Sequence, residues 1–504
     1  GAFNGMSLYK HLPILLIVIP LISAYSIPLI DRIKTGSAWY IATAALSATS
    51  AISVMLLRTV LHTGGITYRF GGWEPPWGVE YVIDYFNGFV VVIVCLMTLA
   101  VAVYAKKSVE KEIDKAKIPA FYSIFLLFYT GLAGMVVTGD MFNLYVFIEI
   151  AALAGYALTA IGRKRGALMA SYNYLILGTI GATFILIGIG YLYVATGSLN
   201  MGDLRVRLPL LYDSHAVRTA FAFLTVGLAL KAALFPFHIW LPGVHGQAPS
   251  VVSIILSSTY TKVIPYVLLR VMFSVFTVKF DLESVPITRI LLFMSSASII
   301  VSSVLAISQT NIKRMLAYSS VGQIGYIIFG AALVNRTSLS GSLLHILNHA
   351  LMKGTLFMAV GAMAYTTGAA RISDMKGMGR KMPFTMAAFT IASLSMIGVP
   401  LTAGFVSKWY LAVGAIESGM WFFIPILLVS SMLMAVYFWR VIETMYFQKE
   451  TGDDRLVYTG RQEAPAGMVA PMLVMAGLCV FFGAYTAAPV EIVFKASEIL
   501  LRGM

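Results

Sequence analysis

Cysteine is nearly missing from this sequence. Only Cys95 and Cys479 occur, each inside an apolar run, and no CxxC pair, metal-ligand spacing or haem-attachment motif accompanies them. The chain is therefore expected to hold no redox centre, metal or cofactor of its own. Charge is scarce too: 12% of the 504 residues are Asp, Glu, Lys or Arg, against roughly 25% in a soluble domain. With 59% hydrophobic residues, that scarcity excludes a soluble enzyme and leaves a polytopic membrane protein. The net charge of +14 does not point to nucleic acid, because the basic residues sit in short loops between apolar runs, where they set topology. Low-complexity tracts and stretches with the make-up of a soluble domain are lacking. There is no signal peptide separable from the first apolar run, and GAFNG ahead of Met6 reads as a remnant or a shifted start outside the fold reasoning.

What the sequence has instead is apolar runs long enough to cross a bilayer. They fall near 9–30, 38–61, 81–105, 118–138, 141–161, 168–195, 216–236, 249–273, 287–307, 314–334, 339–367, 384–416, 422–447 and 467–489. That predicts a single all-α membrane domain over 1–504 with about fourteen transmembrane helices, the 384–416 run being long enough to be bent or broken. An even count puts both termini on one side. If that side is outside, the inner loops collect Arg32, Lys34, the Lys106–Lys117 cluster, Arg163 to Arg165, Lys313, Arg314, Arg371 to Lys381, and Arg440, Lys449, Arg455 and Arg461. The outer loops then hold Glu74, Glu80, Asp203, Asp213, Asp281 and Glu283. The positive-inside rule selects this orientation. The last inner loop, roughly 448–466, has room for a short surface helix at most.

The stretch from Leu228 to Arg270 stands out. Lys231 and Lys262 lie in otherwise apolar segments, and each is followed by a proline, Pro236 and Pro265, expected to interrupt the helical ladder. The segment between them is inner by parity yet has no Lys or Arg, so it is expected to be tucked into protein. A lysine at membrane depth costs about 2.5–3.5 kcal/mol on insertion scales, so it is rarely there for packing alone. Charges near span ends, Asp84, Asp140, Arg58, Arg270, Glu417 and Glu443, can snorkel and are discounted. Five ionisable residues remain mid-span: Glu149, Lys231, Lys262, Lys353 and Lys408. In HILNHALMK, His345 and His349 fall at i, i+4 spacing with Lys353 on one helix face.

These residue types fit proton movement. Desolvation disfavours a charged lysine and a nearby carboxylate favours it, so a lysine whose carboxylate partner moves becomes a proton-loading site. Glu149 is the single mid-span carboxylate and the natural partner of Lys231. Imidazole titrates nearest neutral pH, which suits His345 and His349 to a relay. Gly398-Val399-Pro400 and Gly404 mark a break before Lys408, and paired helix breaks in two repeats mark ion sites in transporters. Each residue also has a plain structural reading: Glu149 as a static helix tie, a lysine paired to a carbonyl, the histidines as core polar groups, and His238 and His245 as loop polar residues or a proton port. A stand-alone transporter of a small solute would need a polar pocket, and a non-transporting scaffold subunit of an oxidoreductase would tolerate losing these charges.

Several segments resemble one known family. DMFNLYVFIEI (140–150), LKAALFPFHIWLPGVHGQAPSVVSIILSS (230–258), YTKVIPYVLLR (260–270), QTNIKRMLAYSSVGQIGY (309–326), HILNHALMKGTLFM (345–358) and GVPLTAGFVSKW (398–409) are similar to the antiporter-like subunits of Mrp sodium/proton antiporters, respiratory complex I and membrane-bound hydrogenases. The resemblance implies fourteen helices with two inverted five-helix repeats, about 118–273 and 287–447, and discontinuous seventh and twelfth helices. It implies that Glu149 on the fifth helix pairs with Lys231 on the seventh, that Lys262 links toward the second half, and that His345, His349 and Lys353 form a central relay. Lys408 matches a twelfth-helix position that is lysine in most members and glutamate in one complex I subunit. The chain ends soon after the last run, without a long lateral helix, which makes it most like the D-type Mrp subunit and its hydrogenase-type counterparts. A prokaryotic plasma-membrane location, other membrane subunits as partners, and protons with Na+ as the transported ions follow from the same resemblance, with any redox chemistry carried elsewhere.

Overall fold

The computed structural model describes residues 11–448 and 462–502. GAFNG, Lys449, Arg455, Arg461 and most of the 448–466 loop lie outside the described residues, as do the side chains of Asp281 and Glu283. The chain is helical almost throughout. Helices α1 (Leu12–Ile33), α2 (Ala38–Thr63), α3 (Tyr85–Glu112), α4 (Ile118–Val137), α5 (Met141–Ala160) and α6 (Arg165–Thr196) make the first six crossings. The seventh is split into α7 (His215–Lys231) and α8 (Trp240–Gln247). Helices α9 (Ser250–Phe280), α10 (Ile287–Ile307), α11 (Ile312–Ala332) and α12 (Arg336–Thr367) follow. The twelfth crossing is split into α13 (Pro383–Ile397) and α14 (Ala403–Glu417), before α15 (Ile424–Tyr446), α16 (Ala466–Ala484) and a terminal α17 (Ala487–Leu500). Among the described residues, twelve continuous helices are long and apolar enough to span a bilayer, and the two split crossings bring the number to fourteen.

The order of lengths repeats. Two helices of 20 residues, one of 32, a split helix and a closing helix run from α4 to α9. Two of 21, one of 32, a split helix and a closing helix run from α10 to α15. Units of five crossings, an odd number, stand upside-down to one another, which is the inverted arrangement. Short polar caps set the starts of the helices. Asp84 accepts from the backbone of Phe86 and Asn87 while Asn87 reaches back, a capping box for α3. Asp140, Asn311 and Asn335 cap α5, α11 and α12, each accepting one backbone N–H without the reciprocal bond.

Burial sorts the helices into an interior and a rim. Helices α11 and α12 are enclosed almost completely and α3, α4 and α9 for the most part, whereas α1, α15 and α16 turn most of their surface outward. Ile22, Leu29, Met432 and Trp439 are among the large apolar side chains exposed there, as expected of a lipid-facing surface.

Several features depart from the sequence expectations. A two-stranded hairpin, β1 (Ile66–Arg69) and β2 (Glu80–Ile83), precedes α3 in the register Ile66 to Ile83. Helix α9 is not broken at Pro265; it runs through the proline, and a wider π turn over Leu256–Tyr260 just before it takes up the mismatch in the ladder. Arg270 and Asp84 do not snorkel. Arg270 donates to both Asp84 oxygens at 2.7 and 3.0 Å, tying α9 to the start of α3, and stacks on Phe86. Arg58, Glu417 and Glu443 are exposed as expected, but Asp140 is buried as a cap.

The Arg270–Asp84 tie gives a direct prediction. Asp84→Asn retains a good capping side chain and removes only the charge, so its effect isolates the ion pair. Leaving a largely buried guanidinium without its counter-charge is expected to cost about 2–3 kcal/mol, read as a lower melting temperature of the detergent-solubilised protein. An unchanged melting temperature would show that the pair contributes nothing net.

Candidate functional site

The seventh crossing ends early because its chain has nowhere helical to go. After Lys231 the backbone turns at Ala233, whose φ of +58° lies in the left-handed region, and Pro236 supplies no N–H. At the break the Leu230 carbonyl accepts the Ala233 N–H and, in addition, the Trp240 indole N–H, each at 3.1 Å. Trp240 itself stacks on Tyr174 of α6 at 4.3 Å, which fixes α8 inside the protein, as the absence of loop cations implied. Gly181 and Gly227 let α6 and α7 touch, and the Lys231 stem packs beside Gly181.

This geometry aims Lys231 at α5. Its ammonium donates to Glu149 Oε1 at 3.0 Å; the lysine side chain is 1% exposed and the glutamate 26%. The pair inferred from residue type alone is present. Its exposure is one-sided, through the carboxylate.

Lys262 is fully buried on α9. It donates to the Ser257 carbonyl, at the π turn, and to Thr261 Oγ1 at 3.0 Å. On α12, His345 and His349 are fully buried and stack with ring centroids 6.0 Å apart. Among the described residues, His349 has no hydrogen-bond partner on either nitrogen. His345 is held at both: Nδ1 meets Ser407 Oγ at 2.8 Å and Nε2 meets Gln323 Oε1 at 2.9 Å. Lys353 shares their face but turns away, donating to Leu316 O at 2.7 Å and to Ser319 Oγ on α11. The structure thus joins the two histidines to each other and leaves Lys353 beside them with separate partners.

At the twelfth crossing the break carries its own cap. Gly398 ends α13 at φ +94°, where a β-carbon would be strained. The exposed carbonyls of Met396 and Ile397 accept from Lys408 at 2.8 and 3.0 Å, and Ser431 Oγ accepts at 3.2 Å. The ammonium sits 4.9 Å from the Tyr326 ring centroid. The two breaks therefore differ: an indole caps the first and leaves its lysine to a carboxylate, whereas the second lysine is itself the cap.

Ser407, Gln323 and Tyr326 carry no functional signal in the sequence. They connect His345 to the neighbourhood of Lys408, since Ser407 precedes Lys408 and Gln323 lies one turn before Tyr326 on α11. All three fall inside the family-like segments; being neutral, they have no charge penalty to flag them.

A helical bundle with two broken helices and several buried lysines and histidines has the form of an antiporter-like membrane subunit. Residues 138–434 match the family described as NADH:quinone oxidoreductase/Mrp antiporter, TM. The chain belongs to that family. It is 45% identical over 474 residues to NADH-quinone oxidoreductase subunit N of Desulforudis audaxviator, covering 92% of this chain and 94% of that protein. It is 29% identical over 490 residues to the D-type subunit of the Na(+)/H(+) antiporter of Bacillus subtilis, covering 97% of each. Among solved structures, a chain of the membrane-bound sulfane sulfur reductase, an archaeal respiratory membrane complex, superimposes with a TM-score of 0.89 at 31% identity over 97% of both chains.

Proposed function

We propose that this chain is a proton-translocating subunit of a multisubunit membrane complex, moving protons in exchange for, or coupled to, sodium. The path runs from Glu149 and Lys231 through Lys262 to His349 and His345, with Lys353 alongside, and on to Lys408. The observation that carries this reading is the Glu149–Lys231 pair, a fully enclosed ammonium at 3.0 Å from a carboxylate that is itself partly exposed. When the carboxylate is close, the ammonium is stabilised; when it withdraws, the buried amine releases its proton inward. His349, free at both nitrogens, can accept on one and donate from the other. His345 is oriented by Ser407 and Gln323 for transfer toward Lys408.

The same reading divides the chain into repeats over about 118–273 and 287–447 and places both termini outside, with the lysine-rich loops in the cytoplasm. It is supported by the names of the relatives, each a subunit or member of a membrane complex.

Lys262→Met in the complete complex, reconstituted in proteoliposomes, tests it. Methionine matches the stem of the lysine and removes the charge together with the hydrogen bonds to Ser257 and Thr261. Proton movement followed by a pH-sensitive dye is expected to fall by about tenfold or more, a barrier increase of about 1.4 kcal/mol, with complex yield unchanged. Transport at the wild-type rate would overturn the reading.

A further inference from the structure

Helices α3, α12 and α16 meet closely at one point and leave a crevice outside it. A β-carbon on Gly354 of α12 would stand 2.8 Å from both Met97 of α3 and Met475 of α16. Beside those methionines lies an unfilled groove of about 660 Å³. Leu96 and Ala100 of α3 and Val474 and Leu478 of α16 form its walls, with Leu347 and Leu351 of α12 behind. Among the described residues that line it, no side chain carries a polar atom except the two thioethers, which excludes a polar solute. Leu96 and Val474, 46% and 63% exposed, are its lips, so the groove opens onto the lipid-facing surface.

Its two ends differ. Pro489 and Ile492 of α17 cover one and offer no charge. The other, at Val103 and Ala470, points to the lysine-rich loops, and Lys107 stands one turn past Val103 on α3. Lys106 is held 4.3 Å over the Trp39 ring, and Lys111 donates to the Tyr365 carbonyl. Lys107 instead pairs with Glu110 at 3.1 Å, both side chains about half exposed at 48% and 49%. An exposed i, i+3 pair of this kind is weak enough for another anion to displace. From Phe89 to Val103 the groove follows α3 for about 21 Å at 1.5 Å per residue. That is longer than one leaflet's half of the roughly 30 Å hydrocarbon core. A chain lying in it passes the midplane.

We propose that this groove binds a phospholipid with an anionic headgroup, an acyl chain lying between α3 and α16 and the phosphate standing at Lys107. The site is independent of the proton-relay reading. Hydrocarbon in the groove makes the van der Waals contacts that an empty crevice forfeits. Lysine at the open end supplies the attraction for the headgroup, and the covered end supplies none. The bound chain backs α12 at Leu347 and Leu351, on either side of His349 in sequence.

The test uses the complete complex in nanodiscs of phosphatidylethanolamine and phosphatidylglycerol, with a trace of either lipid bearing a photoreactive group in its acyl chain. Adducts on this chain are mapped by peptide mass after irradiation. Labelled phosphatidylglycerol is expected to react chiefly within residues 96–103 and 474–478. Ala100→Phe puts a ring into the groove and is expected to cut that labelling about tenfold or more, as overpacking does in a core. Lys107→Ala is expected to cut it about fivefold, the share of one lysine near a charged lipid surface. Being a surface change, it keeps the test decisive if Ala100→Phe fails to assemble. Labelling unchanged in these variants, or equally dense on the exposed faces of α1 and α15, would reduce the groove to ordinary bilayer contact and overturn the site. Absence of any adduct in the groove would give it to a helix of another subunit and overturn the site too. Equal labelling by the two lipids would overturn the anionic headgroup.

Discussion

Glu149→Ala and Lys231→Ala are each expected to cut proton transport by the reconstituted complex about tenfold or more, with unequal effects on stability. The inequality follows from exposure. Lys231 is 1% exposed and Glu149 26%, so the two partners do not lose the same thing when left alone. Without Lys231, the partly exposed carboxylate can turn outward or take up a proton, and the fold gives up less. Without Glu149, a buried amine has no counter-charge, and breaking a buried pair from that side costs about 3–5 kcal/mol if the charge is retained. Glu149→Ala is therefore the variant expected to melt earlier and yield less complex. Both abolish loading, because a proton site governed by the distance between two groups needs both. The double variant decides whether they act as one unit: transport no lower than in the worse single variant means coupling, whereas losses that multiply would mean two independent sites. Near-wild-type transport in both single variants would remove the pair from the path.

This pair was legible in the sequence for a physical reason. A charge at membrane depth is costly, so the few present are informative, and a single mid-span carboxylate leaves few choices of partner. The two helix breaks were legible too, at Lys231 to Pro236 and Gly398 to Pro400, because proline and glycine act on the backbone locally. What lay beyond reach was tertiary. Pro265 alone looks like a breaker, and only the fold shows a π turn upstream absorbing it. Asp84 and Arg270 are 186 residues apart, and at span ends the default of snorkelling hid their pairing. The hairpin at Ile66–Arg69 and Glu80–Ile83 is too short for its alternation to stand out. Ser407 and Gln323, which hold His345, have no charge to betray them. The motifs fix the family more firmly than the parent complex. The D-type resemblance agrees with 29% identity to the Bacillus antiporter protein, yet the quinone oxidoreductase protein of Desulforudis is 45% identical. Both kinds of complex use a subunit of this fold, so the shared helices need not record which one this chain joins.

Gly404→Ala is expected to disable transport by distorting the second break, without touching any ionisable group. Gly404 is the second residue of α14, and its N–H donates to Ser395 Oγ on α13 at 3.0 Å, satisfying one of the amides left free at a helix start. A β-carbon there would stand 1.9 Å from the Ser395 carbonyl oxygen. Backbone cannot yield as a side-chain tip can, so α13 and α14 must separate. Overpacking of this kind costs about 1–3 kcal/mol, but the functional loss should exceed it. Ser407 and Lys408 lie one turn further along α14. Their contacts, 2.8 Å to His345 and 2.8 and 3.0 Å to the Met396 and Ile397 carbonyls, depend on the spacing the glycine permits. A small shift breaks the link between His345 and Lys408 while the lysine loses its role as cap. Gly419→Ala serves as the control: φ is +71° with no atom within 4 Å of the added carbon, so it carries about 1–2 kcal/mol of backbone strain alone. If the two variants lose similar stability but only Gly404→Ala loses transport, the separation of α13 and α14 is what sets the rate. Equal transport in both would mean that Lys408 works without its position at the break.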